Sequence, residues 1–139
     1  TRRMVVIYVA ATLGGFALSM LRGTPLTVGA SAGLFGLIGA MIALGVREKW
    51  SAQAAAIKAF YIRWAIYGLL MGLLPFFRVD NAAHIGGLAA GFAVAYAAGT
   101  PREFNRLREQ VWLVLCTLAT LLCGYCFLRL FLWINSTTF

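Results

Sequence analysis

Five long apolar runs account for most of this chain: Met4–Met20, Ala30–Val46, Tyr61–Phe77, Ala82–Ala98 and Val111–Ile134. The first four hold 17 residues each and the last 24. At about 1.5 Å of rise per residue, 17 helical residues cover about 26 Å, which suffices for a thin hydrocarbon core. The runs are too long for barrel strands and lack their alternation. Charged residues make up only 12% of the chain against 62% hydrophobic ones, where a soluble domain carries about 25% charged. The expected fold is therefore all-α: a polytopic transmembrane bundle of five membrane-spanning helices, forming a single domain over residues 1–139.

Most breaks between runs are marked. Gly23, Thr24 and Pro25 end the first hairpin, and a polar stretch from Arg47 to Lys58 separates the second and third runs. Pro75 closes the third, and Arg78, Val79 and Asp80 form a short turn. Gly99, Thr100 and Pro101 end the fourth. The charged segment Arg102 to Gln110 reads as a short interfacial helix.

The net charge of +8 would suggest nucleic acid on a soluble domain. Here the basic residues fall between apolar runs, so they report topology instead. If every run crosses, one side holds Arg2, Arg3, Arg47, Lys49, Lys58, Arg63, Arg102, Arg106 and Arg108, and the other Arg22, Arg78 and Arg129. The richer side should be cytoplasmic. The expected location is a multi-pass position in a bacterial inner or plasma membrane, with lipid as partner and no nucleic acid.

Few residues inside such a bundle can do chemistry. The single histidine, His84, opens the fourth run, and Ser31 opens the second within Gly29-Ala30-Ser31-Ala32-Gly33. Alone, a serine among small residues is packing material, and a lone histidine could as well bridge helices. Topology changes this: both helices enter from the outer side, so Ser31 and His84 lie at similar depth. A serine nucleophile needs a base within about 3 Å. Gly87 and Gly91 follow His84 on one helical face, and Gly87-x-x-x-Gly91 lets helices pack closely. Ser31 also sits at a helix N-terminus, where free N–H groups favour a developing oxyanion. GASAG matches the G-x-S-x-G elbow as well, but that motif needs a strand before the serine. Asp80 is read as a helix cap, not a third catalytic member. Cys123-Gly-Tyr-Cys126 has no further ligands nearby and reads as membrane-helix packing. No cofactor is called for.

Gly29-Ala30-Ser31 with Leu34-Phe35-Gly36-Leu37-Ile38-Gly39-Ala40 resembles the serine-bearing helix of the rhomboid intramembrane proteases. Ala83-His84-Ile85-Gly86-Gly87-Leu88-Ala89-Ala90-Gly91 resembles their histidine-bearing helix. The two motifs cover roughly a sixth of the chain. The resemblance implies a Ser–His dyad, facing the outer side, that cuts transmembrane or membrane-proximal segments of protein substrates. Ser31 would be the nucleophile and His84 the base and later the acid. The Ser31 N–H, supported by Gly29, would bind the oxyanion. Phe35 stands where the family often packs an aromatic on the histidine ring, and Gly87 and Gly91 would hold the two helices together. The usual glycine after the serine is replaced by Ala32, a departure that adds one methyl next to the nucleophile and leaves its effect on the site open. The family also has two further helices upstream, which complete the oxyanion hole. An inactive client-binding relative and a piece of a transporter bundle are the competing readings. The polar groups gather near one surface and not at mid-membrane, which disfavours the transporter.

Overall fold

The computed structural model describes residues 1–74, 76, 79–99 and 105–137. Among them lie five helices and no strand: α1 Arg2–Leu21, α2 Ser31–Arg47, α3 Ala52–Met71, α4 Asn81–Ala98 and α5 Arg106–Thr137. The features expected at Pro75, Phe77, Arg78, Thr100, Pro101 and Arg102 lie outside the described residues.

Three helices match their apolar runs within a few residues, and two differ. The third begins at Ala52, nine residues before the expected Tyr61, because Ser51 caps it. The Ser51 side chain accepts from the Ala54 N–H, and the alanine-rich stretch that follows is intrinsically helical. It ends at Met71, where Gly72 stands at the C-cap. The charged residues Arg106–Gln110 do not make a separate interfacial helix. They form the first turns of α5, started by Asn105, whose side chain accepts from the N–H groups of Leu107 and Arg108.

Helices α1, α3 and α5 (Arg106–Ser136) are long and apolar enough to cross a membrane, and α2 is a shorter apolar helix. The chain separates into two compact units, Ile7–Glu103 and Thr1–Val6 with Phe104–Phe139. In the smaller unit Arg3 pairs with Glu109 at 2.7 Å and lies over the Trp112 ring.

The larger unit is built around α2 and α4. A methyl on Gly91 would lie 2.5 Å from the Gly36 Cα, and one on Gly87 would lie 2.9 Å from the Ala32 carbonyl carbon. Both numbers advance by four from one contact to the next, so the two helices run parallel. Helix α1 lies antiparallel across both: Gly15 meets Ala32 and the Ala83 carbonyl, and Gly14 meets Ala90. Lipid is as apolar as leucine and drives no helix association, so close backbone approach through small residues supplies the attraction. At the far ends of α2 and α4, Ile7, Ala40, Ala43 and Ala95 form an apolar core. Arg47 there donates to the Tyr96 carbonyl at 2.7 Å.

Candidate active site

The parallel pairing of α2 and α4 brings their N-termini to the same end of the unit. A cavity of about 480 Å³ opens there, within the usual size for a ligand site. Ser31 and His84 both line it, with Ala83 and Asp80 from the α4 side. Leu26, Thr27 and Val28 of the α1–α2 loop, and Val79, complete the wall. No hydrogen bond joins Ser31 to His84 among the described residues.

Ser31 is the first residue of α2, and no side chain caps that helix. The N–H groups of its first turn are therefore unclaimed by capping, the condition for binding an anion. Gly29 precedes it with φ +127°, a conformation that L side chains rarely adopt. Tyr8 of α1 donates to the Ala30 carbonyl at 3.3 Å and lies against Gly33, where a methyl would come within 2.7 Å of Thr12 Oγ1. Gly33 thus faces α1 and not the histidine helix.

His84 is buried, 6% exposed, and its Nδ1 has no hydrogen-bond partner among the described residues. The Phe35 ring stacks on it with centroids 4.0 Å apart and planes 11° from parallel. The tip of the Phe35 ring is wedged against Gly68 of α3, where a methyl would sit 2.5 Å from Cζ. So α3 bears on the histidine through one aromatic ring.

The extra methyl of Ala32 points away from the cavity, toward α1. The residue is 1% exposed and absent from the cavity wall. Its methyl meets Gly15 of α1 and its backbone meets Gly87, so a missing side chain on α1 makes the room.

Asp80 caps α4: its Oδ1 accepts from the N–H groups of Ala82 at 2.9 Å and Ala83 at 3.2 Å. Its Oδ2 accepts from the hydroxyls of Ser19 and Thr27, which lie 2.6 Å from each other. Burial pushes the carboxyl up, but the Ser19 and Thr27 hydroxyls and the Ala83 and Ala82 N–H groups outweigh it and hold it below its ordinary value. Asn81 points elsewhere, donating to the Leu69 carbonyl of α3 at 3.1 Å. Thr27 and Ser19 had no signal in the sequence beyond being polar, one between two apolar runs and one near the end of the first; Asp80, 61 residues from Ser19, brings them together.

Fold and cavity together define an integral membrane protein of helices, with a serine and a histidine on the wall of one cavity at the start of two parallel helices. The chain belongs to the rhomboid family: the Rhomboid domain profile matches residues 1–101. It is 38% identical over 99 residues to RHOMBOID-like protein 5 of Arabidopsis thaliana, covering 68% of this chain and 31% of that protein. It is 34% identical over 102 residues to the rhomboid protease GluP of Bacillus subtilis (strain 168), covering 72% of this chain and 19% of that protein. It is also 37% identical over 89 residues to Inactive RHOMBOID-like protein 8 of Arabidopsis thaliana, covering 61% of this chain and 24% of that protein. The chain thus spans less than a third of the length of these relatives. They come from a plant and a bacterium, so the likeness does not select the bacterial membrane expected above. No solved structure matches the chain.

Proposed function

We propose that this chain carries the catalytic core of an intramembrane serine endopeptidase that cuts transmembrane or membrane-proximal segments of protein substrates. The observation that carries the reading is the shared cavity: Ser31 and His84, 53 positions apart in sequence, line one wall at the N-termini of two parallel helices. His84 takes the proton from Ser31 Oγ as the oxygen attacks the scissile carbonyl, then hands it to the leaving amine. The backbone N–H of Ser31 donates to the oxyanion, helped by the unfilled cap and dipole of α2. Water then hydrolyses the acyl-enzyme, with His84 acting again as base. A loose Ser–His geometry is common in a free enzyme and tightens when substrate arrives.

The basic bias supports a non-cytoplasmic position for the α2 and α4 N-termini, and on that orientation substrates would be cut near that face. The likeness to an inactive relative keeps a second reading in view, a client-binding protein that does not cut. Both chemical groups are present here, which favours the enzyme. The test expresses the full-length protein beside a transmembrane reporter substrate in the same membranes. Cleavage should occur, and both Ser31→Ala and His84→Ala should abolish it. Reporter turnover that persists in Ser31→Ala would place the nucleophile elsewhere.

A further inference from the structure

The α1–α2 loop forms one wall of the cavity, yet its own packing is poor. Leu26 is 77% exposed and Val28 is 79% exposed. Thr27, between them, points the other way and donates to Asp80 Oδ2. Ser19, at the end of α1 and 2% exposed, donates to the same oxygen. The other carboxylate oxygen caps α4, the helix of His84. One side chain therefore ties together the end of α1, the loop and the start of the histidine helix.

We infer that Asp80 is a positioning residue for the proteolytic site, with Oδ1 holding the helix that carries His84 and Oδ2 clasping the loop that walls the cavity. Hydroxyl-to-carboxylate bonds are charge-assisted and stronger than neutral ones. Ser19 is too buried for water to replace a lost partner, so breaking the cluster leaves a polar group unsatisfied. With Leu26 and Val28 contributing little burial, the clasp decides where the loop rests. A substrate segment entering the cavity would contact Leu26 and Val28. The clasp should thus act on substrate binding more than on the chemical step.

The inference rests on the proteolytic reading, and its two halves separate cleanly by variant. Thr27→Val keeps the shape and the α4 cap but removes the donor; Thr27→Ser restores the donor. In the full-length protein, active sites are first titrated with a fluorophosphonate, and KM and kcat per titrated site are then measured on a transmembrane substrate. Thr27→Val should raise KM by about tenfold, the typical effect of a lost charged hydrogen bond, with kcat changed by less than about threefold. Thr27→Ser should return KM to near the wild-type value. A merely structural role would lower the titratable fraction and leave KM unmoved, and that result overturns the inference. So does a Thr27→Ser protein as impaired as Thr27→Val.

A second arm needs no activity. In Ser31→Ala protein with Cys116, Cys123 and Cys126 replaced by alanine, a nitroxide at Val28→Cys reports loop motion. Adding Ser19→Ala should raise its mobility. Unchanged mobility overturns the clasp, whereas a wild-type protein that takes no phosphonate overturns only the proteolytic reading.

Discussion

Gly87→Ala is the substitution whose effect follows most directly from the packing. The added methyl would lie 2.9 Å from the Ala32 carbonyl carbon and 3.1 Å from its Cα, with the carbonyl oxygen nearer still. Ordinary contact begins at 3.4 Å, and the obstacle is backbone, not a flexible side chain. The helices must therefore part by roughly 1 Å at this point, since proteins do not tolerate such overlap in a packed interior. Gly87 lies one turn after His84, and Ala32 directly follows Ser31, so the separation falls on the two residues that must meet. A misplacement of about 1 Å costs on the order of 100-fold in rate. Overpacking should also destabilise the bundle by about 1–3 kcal/mol. The assay compares kcat/KM of wild type, Gly87→Ala and Gly87→Val in the full-length protein, at equal membrane levels, with thermal melting in detergent to confirm folding. Gly87→Ala should lose about 100-fold and Gly87→Val more. Gly124→Ala in α5 is the control, because a methyl there meets nothing within 4 Å. Full activity in Gly87→Ala would refute the claim that the Ser31–His84 geometry depends on this contact.

Further outcomes follow from the same structure. Phe35→Ala removes the ring stacked on His84 and wedged against Gly68; kcat should fall about fivefold, as expected for losing an aromatic pair worth about 1 kcal/mol, and an unchanged kcat would make Phe35 ordinary packing. Asp80 is held below the ordinary value of 3.8; a depressed folded value gives stability above the unfolded one that is lost as pH falls through the folded one. Melting temperature should therefore drop below about pH 3.8 in wild type, and Asp80→Asn should lack that part of the drop; an identical drop in both proteins would count against the carboxylate cluster. Thr1–Phe139 expressed alone should insert but cleave slowly. Among the described residues the cavity wall offers no free side-chain donor besides Ser31 and His84, since the Thr27 hydroxyl is given to Asp80, and one missing oxyanion donor typically costs about 100- to 1000-fold. Turnover equal to that of the full-length protein, and lost in Ser31→Ala, would contradict this.

The helical membrane fold was legible because lipid leaves so few alternatives: long apolar runs with few charges can only be helices. The positions of Ser31 and His84 at matched helix ends were legible from run order alone. Asp80 as a cap was legible too, since a carboxylate just before an apolar run has few other local partners. The start of α3 was not. Ser51 and an alanine-rich stretch carry the helix well outside the apolar run, and hydropathy does not register a cap. The direction of the Ala32 methyl was also hidden, because it depends on Gly15 of another helix. The Ser19–Thr27–Asp80 cluster was invisible for the same reason: each residue is unremarkable locally, and only the antiparallel passage of α1 beside α4 joins them.

The central claim is that Ser31 is a nucleophile activated by His84. It is tested most directly by treating the full-length protein in membranes with a fluorophosphonate and locating the adduct by peptide mass spectrometry. The account predicts one adduct, on Ser31 Oγ, absent in Ser31→Ala and strongly reduced in His84→Ala, with labelling slowed in Gly87→Ala. An adduct on another residue, or labelling of Ser31 that proceeds at the wild-type rate without His84, would contradict it.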